Sequence, residues 1–512
     1  MKNLVITALL ITATAGFGQD SGLIGRTSIK GFGAKGDGIT DDTAAIQSGL
    51  NAACGDSFII AIATGALVSP IVVTTTAPHT FMNRASLTVA GAGGNTNANG
   101  VWSATVLSPT SVALYSSSGE PSTGNAAYTS GGTITAGAAS LYFPAGTYNI
   151  SSPLVTGCAL SLSGDGPTAS LIFQTHQYLS IHGIVANHSL RMEDIAINTT
   201  PLTADYGMIA VFAGTSTASP MIGDTFTFVR FHSSGFNFGL DINGTSDRDL
   251  LGSITVDDCN ISVGTKANAV SQPINAANAV FLTVENSTLS GNSLPGGAIN
   301  NDHGIYTLAI RGVLIQNNLI QNHGNSAIKL LQGGFHSATC PTLQDYTSWT
   351  IDNNKIVGSR LAIAVYSYCA LVMPSIVISN NLISNIPNTY LGDYAAVYVQ
   401  SNCQSNMVNV LSSGNTFTNL GLGGIVLASQ VESDATCTAA TAQGTISNFT
   451  SIGDTFIDWS KTSEGTFPAI NSTGMNLIHA SVSGLNADGS ANGNVALNLA
   501  AFADVSVVDA VR

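Results

Sequence analysis

The sequence predicts an all-β protein: a right-handed parallel β-helix solenoid with an N-terminal capping helix and a small inserted β-module. A recurring six-residue pattern is the first reason. Val256-Asp257-Asp258-Cys259-Asn260-Ile261 aligns with Val284-Glu285-Asn286-Ser287-Thr288-Leu289 and Ile315-Gln316-Asn317-Asn318-Leu319-Ile320, and again with the segments opening at Ile351 and Ile378. Weaker copies start at Met192, Phe226, Ser412 and Ser451, and successive starts lie 27 to 39 residues apart. Repeats of that size, with β-branched alternation and almost no helical period, are coils that bury a core only by stacking. The Asn, Ser or Cys at the fourth position is the second reason, since it suits an inward bend where side-chain amides bond between coils. Composition is the third. Charged residues are 9% of the chain and hydrophobic ones 44%, with 54 glycines, which excludes a disordered chain.

The elements follow in order. Residues 1–18 read as a secretory signal: Lys2, an apolar run from Leu4 to Ala15 too short to span a bilayer, then Gly16 and Gly18, with cleavage after Ala15 or Gly18 equally arguable. The expected location is therefore extracellular or periplasmic, with no membrane partner. Residues 28–61 form the cap. There a glycine-rich run, Gly31 to Gly38, precedes Thr40-Asp41-Asp42, and Ile46, Leu50 and Ala53 fall on one face of a helix. Asp41 and Asp42 complement the positive helix end. The same run matches G-x-G-x-x-G, but no βαβ unit surrounds it, so a dinucleotide site is not read from it.

Residues 62–137 have a different texture. Short strands around Ile71–Val73, Leu87–Val89, Trp102–Val106 and Val112–Leu114 alternate with Gly, Asn and Pro turns. This is an inserted module, either a carbohydrate or surface attachment device or an insertion with no ligand. The β-helix occupies 138–480, and 481–512 make a terminal coil and cap. Seven cysteines suit an oxidising compartment. Cys369 and Cys403 match in successive coils, and the pairings 340–369 and 403–437 compete with theirs. Cys259, at the inward bend, is expected to be a buried thiol.

A second register shows which residues point outward: Leu240-Asp241-Ile242, Ile305-Tyr306-Thr307, Ile328-Lys329-Leu330, Ile363-Ala364-Val365, Val397-Tyr398-Val399 and Ile425-Val426-Leu427. Alternation puts the middle residue of each outside, with Tyr366 and Gln400 extending the face. Coils lie about 4.8 Å apart, so Tyr306 and Lys329 should be neighbours. Two long loops, 291–303 and 385–395, bracket the Lys329 coil as the walls of a groove. The chain carries a formal charge of −14 with only 15 Lys and Arg, so no nucleic-acid partner is expected. Four of those cations, Arg311, Lys329, Lys355 and Arg360, fall within 302–360. Together they suggest a locally positive patch for an anionic ligand.

Ile29-Lys30-Gly31-Phe32-Gly33-Ala34-Lys35-Gly36-Asp37-Gly38 followed by Thr40-Asp41-Asp42-Thr43-Ala44-Ala45-Ile46-Gln47 resembles the opening of the pectate-lyase-superfamily domain, also described as rhamnogalacturonase/epimerase-like. Phe143-Pro144-Ala145-Gly146-Thr147-Tyr148 and Ser163-Gly164-Asp165-Gly166 are similar to its next two signatures. The resemblance covers 28–61 and 138 to about 240. It implies a parallel β-helix in contact with carbohydrate, and since relatives include lyases, glycosidases, epimerases and phage tailspikes, it does not fix a reaction. Asp257-Asp258-Cys259 superficially resembles one motif of polygalacturonase-type hydrolases. The other elements of that set are missing, so no catalytic residue is carried over.

Eliminating a 4-linked uronate needs a base for the C5 proton, neutralisation of the carboxylate and an acid for the leaving oxygen. His303, Tyr306 and Lys329 have the right types and expected proximity and are the candidate catalytic residues. Asp241, Asp302, Arg311, Asp393 and Tyr398 are the candidate substrate contacts. Asn301-Asp302-His303-Gly304 has a plainer reading, as a bend held by side-chain bonds to backbone. The expected partner is a polysaccharide, most naturally an anionic one. No metal-ligand set is assigned, although calcium remains open as a cofactor. A glycosidase using two of Asp241, Asp302, Asp345 and Asp393 and a non-catalytic glycan-binding adhesin are the rival readings.

Overall fold

The computed structural model describes residues 27–508 except 55–56, 63–67, 77–80, 82–85, 109, 117, 137–138, 174–181, 200–208, 215–220, 246–249, 264–270, 292–301, 333–345, 368–371, 388–394, 403–404, 430–443, 460–467, 475 and 489–495. The segment proposed as a signal lies outside these residues, as do Cys340, Cys369, Cys403 and Cys437. The chain divides into two compact units, Ser28–Gly55 with Ala138–Arg512, and Asp56–Gly137.

The larger unit is the right-handed parallel β-helix. Among the described residues its three parallel sheets hold 15, 13 and 12 strands. Each coil visits sheet 1, then sheet 2, then sheet 3, as in Gly312–Gln316, Leu319–Gln321 and Ser326–Gln332. Val256, Val284, Ile315, Ile351 and Ile378 pair in consecutive coils of sheet 1 and are all buried. Ser412 and Ser451 continue that column. Phe226 does not: it pairs with Ile254, while Phe228 stands opposite Val256. The repeat there is offset by two residues, a shift that preserves side-chain direction because the strand period is two.

The fourth-position residues form a buried polar spine. The backbone N–H of Cys259 donates to Ser287 Oγ, and that of Ser287 to Asn318 Oδ1. From Asn318 through Asn354, Asn381 and Asn415 to Asp454, each backbone N–H and each side-chain Nδ2 donates to Oδ1 of the next coil at 2.9–3.0 Å. Each asparagine Nδ2 also donates to a carbonyl of a preceding coil, such as Ile315 O from Asn354. Every amide in the middle of the column is thereby satisfied inside a core that offers no water. The residue before each rung takes a left-handed conformation, as at Asn317, Asn353 and Asn380, which asparagine tolerates better than most residues. Cys259 is a buried free thiol, its pKa pushed up to about 12 by burial.

The cap explains the glycine-rich signature. Helix α1 spans Thr43–Cys54 and buries Ile46 and Leu50 in the solenoid core. Asp42 turns back from its start and accepts the N–H groups of Lys35 and Gly36 at 2.6 and 3.0 Å. Gly36 has φ +61°, and a Cβ there would meet the Tyr148 ring at 2.6 Å. Gly146 cannot carry a side chain either, because its Cβ would lie 2.7 Å from Gly36 O. Asp165 accepts Tyr142 Oη and the Ala145 N–H. A disulfide between Cys54 and Cys158, 104 residues apart in sequence, ties the end of α1 to the coil beneath.

At the other end, Leu477–Ser483, Asn486–Asp488, Leu497–Asn498 and Phe502–Val508 remain in register with their sheets. Regular coils therefore run through the segment expected to include a cap. The smaller unit is a closed barrel of six short strands around Val73, Leu87, Val89, Val112, Leu114 and Ile134. Its first strand, Ser57–Ile62, pairs with Val72–Thr75 and Thr133–Ala136, so the module starts there and not at residue 62.

Asn354→Ala should cost about 1–3 kcal/mol in denaturant unfolding, because it removes the Oδ1 that accepts both the backbone N–H and the side-chain Nδ2 of buried Asn318. Asp454 ends the spine as a buried carboxylate whose pKa burial raises above 3.8. The folded state thus holds its proton to higher pH than the unfolded state does, and stability falls as pH rises from about 3.8 through the folded value. Asp454→Asn should be the more stable form at pH 7, and the difference should vanish below about pH 4 in a melting-temperature series; an unchanged pH profile would contradict this.

Candidate functional site

The outer face of sheet 3 carries a continuous file. Val185, Phe212, Asp241, Asn275, Tyr306, Lys329, Ala364, Tyr398 and Val426 stand opposite one another in consecutive coils. Tyr306 and Lys329 are direct neighbours, as the alternation requires. Asn275 is the member that the sequence reading missed, because Gln272-Pro273-Ile274 lacks the small residue before the inward isoleucine. Phe212, stacked on His182 at 4.4 Å, was missed as well: the segments around it carry no clear repeat.

Lys329 sits between two phenols. Its Nζ lies 5.8 Å from the centre of the Tyr306 ring and 5.6 Å from that of Tyr366. Each such contact stabilises the ammonium by roughly 0.5–1 kcal/mol. Burial raises the Tyr306 pKa above 10.0, so this phenol keeps its proton at neutral pH. Tyr366 in turn lies 5.8 Å from the Tyr398 ring.

His303 belongs to the same cluster but not to its surface. Its ring stacks on Tyr306 at 5.3 Å, yet the residue is 0% exposed. The Ser326 N–H donates to its Nδ1 at 3.3 Å, which places the ring proton on Nε2. Burial, then the positive Lys329 and then His323 push its pKa well below 6.5. His303 is therefore a neutral prop behind the phenol and not a group that meets a glycan in this conformation. Asp302 is likewise 0% exposed. It accepts the Gly324 N–H at 2.7 Å and faces His323 Nδ1 at 3.4 Å, so the bend reading describes it and direct substrate contact does not.

The remaining candidates separate. Asp241 lies on the file with its Oδ1 accepting Asn243 and Asn275 amides at 2.5 and 2.7 Å, and burial raises its pKa. Tyr398 is in register but only 7% exposed, packed with Leu361, Ala364, Ala395 and Val426. Arg311 stands at the corner between sheets 3 and 1, where its N–H donates to Ala279 O, and is not part of the file. Lys355 is exposed on sheet 2, opposite Leu319. The cations of 302–360 therefore do not form one patch, because strand order scatters them around the coil. Asp393, Asp345, His336 and most of both long loops lie outside the described residues. Among the described residues no cluster of His, Cys, Asp and Glu suits a metal ion.

The family model for rhamnogalacturonase A/epimerase, pectate lyase-like proteins matches residues 26–386. A comparison with curated proteins finds no match. Among solved structures, the A-module of the Azotobacter vinelandii mannuronan C-5 epimerase AlgE6 is similar at 14% identity and a TM-score of 0.51, covering 95% of this chain and 99% of that one. The Agl-KA catalytic domain is similar at 15% identity and a TM-score of 0.53, covering 94% and 68% respectively. At such identities the likeness shows the fold.

His303→Ala should open a cavity behind Tyr306 and lower unfolding free energy by about 2–4 kcal/mol. Lys329→Ala, at a partly exposed position of the file, should change it by less than about 1 kcal/mol. Chemical denaturation of both variants tests this, and equal losses would place Lys329 in the load of the fold.

Proposed function

Because the chain belongs to the rhamnogalacturonase A/epimerase, pectate lyase-like family, we propose that it is a polysaccharide-acting enzyme that cleaves a uronate-containing glycan by β-elimination on the outer face of sheet 3. One observation carries the finer reading: Lys329 presents a cation between two phenols on that face. The ammonium pairs with the uronate carboxylate and stabilises the charge that develops when C5 loses its proton. Tyr366 takes that proton. The C5–H electron pair becomes the C4=C5 bond, the C4–O4 bond breaks, and the departing O4 receives the proton of Tyr306, which burial keeps in place. His303 positions Tyr306, and Asp241 with Asn275 contacts sugar hydroxyls further along the file. Arg311, away from this face, has no part in the step. The apolar run Leu4 to Ala15 supports export, and no helix among the described residues is long and apolar enough to cross a membrane.

Incubation with polygalacturonate, polymannuronate and a neutral glycan tests the reading. Ultraviolet absorbance of a conjugated unsaturated uronate is expected with an anionic polymer, and Lys329→Ala, Tyr306→Phe and Tyr366→Phe should each lower kcat by about 10²- to 10⁴-fold. A phenol acting as base must lose its proton, while the acid Tyr306 holds its own past pH 10.0. The rate should accordingly climb with pH and show no alkaline fall until above that value. Reducing ends without absorbance would mean hydrolysis, inverted C5 configuration without scission would mean epimerisation, and none of these would leave a glycan-binding protein.

A further inference from the structure

We infer that Asp241 selects against charge along the bound glycan: the sugar unit over it carries no carboxylate, so the preferred substrate joins a uronate at Lys329 to an uncharged unit further along. The inference rests on the reading of sheet 3 as the glycan site. Asp241 and Lys329 stand in one outward file, separated by Asn275 and Tyr306. All four are partly open to solvent. Three steps of about 4.8 Å put the two charged rungs roughly 14 Å apart. A polymer that follows the file with one carboxylate on Lys329 therefore brings another of its units over Asp241.

The surroundings of Asp241 leave its charge unbalanced. Its Oδ1 accepts the neutral Asn243 and Asn275 amides at 2.5 and 2.7 Å, and no Lys or Arg among the described residues pairs with it. Phe212 precedes it in the file, and His182 stacks on Phe212 at 4.4 Å. Burial holds the His182 pKa below 6.5, so this imidazole is largely neutral at pH 7. Burial likewise raises the Asp241 pKa above 3.8, the direction expected of a carboxylate that no cation compensates. A uronate carboxylate brought over this group would meet a like charge at a partly buried position, where water screens it poorly. A sugar hydroxyl would instead donate to Oδ2, to which no described group donates. The unit that fits is uncharged: a neutral sugar, or a uronate whose carboxyl is esterified. Lys329 and Asp241 thus read a pattern of charge along the chain.

Binding is measured by calorimetry in Tyr306→Phe, which retains the ring and Lys329, with three polymers. They are polygalacturonate, the same polymer half methyl-esterified, and a copolymer of galacturonate and a neutral sugar. At least one of the last two should bind more tightly than polygalacturonate, by about 3- to 30-fold, and which one does so tells an esterified unit from a neutral one. Adding Asp241→Asn, which keeps an oxygen for both amides, should tighten polygalacturonate by that factor and erase the preference. Polygalacturonate binding as tightly as the other two before any change at Asp241 overturns the inference. A preference that survives Asp241→Asn also overturns it, since the overall charge of −14 would then account for the difference. Adding Lys329→Ala tests the premise separately. If that change weakens binding while Asp241→Asn alters no preference, the inference falls and the sheet 3 site stands. If it leaves all three polymers bound as before, both fall.

Discussion

The asparagine spine is the interaction on which the rest of the architecture depends. A solenoid coil has no partner for its bend except the coils above and below, and a buried bend exposes backbone donors to an apolar core. Asn318, Asn354, Asn381 and Asn415 meet that demand by giving each donor an amide oxygen in the next coil. This sets register as well as stability. A coil slipped by one residue would turn its inward isoleucines outward and break two hydrogen bonds per rung. With register held, the strands of sheet 3 fall into line although the loops between rung and strand differ in length. The neighbouring positions of Tyr306 and Lys329 follow from a polar column on the opposite side of the coil.

The motifs that identify the family do a different job from the face that would do chemistry. Gly36, Asp42, Gly146, Tyr148 and Asp165 interlock to seat α1 over the first coils. A side chain at Gly36 or Gly146 would collide with the opposing strand, and Asp42 is consumed by backbone N–H groups. In this chain the signature serves the scaffold, closing the end of the helix.

Within the cluster, burial divides the roles. His303, Tyr306 and Lys329 do come together, but only the last two reach the surface. The buried imidazole accepts a backbone N–H at Nδ1 and stacks on the phenol ring, which orients Tyr306. Tyr366 joins Lys329 from the next coil, one outward position beyond Ala364. A proposed acid and a proposed base thus flank one cation.

Much of this was legible in the chain. Alternation and repeat length determined the fold, the inward spine, the buried Cys259 and the adjacency of Tyr306 to Lys329, because each depends on a period that local sequence carries. The register slipped at Phe226, where two aromatic residues two apart satisfy the same pattern. Depth around the coil could not be read. Asp302 and His303 look like exposed polar residues in a polar stretch, yet backbone donors of the next coil, near residues 324–326, enclose them. Tyr398 follows the outward register as faithfully as Tyr306 does, but lies under a cover that no period announces. Which cations share a face was likewise decided by the winding of the chain, since Lys329 and Lys355 are 26 residues apart in sequence yet sit on different sheets. Periodicity fixes direction from the strand axis; only the packing of distant segments decides whether that direction ends in water.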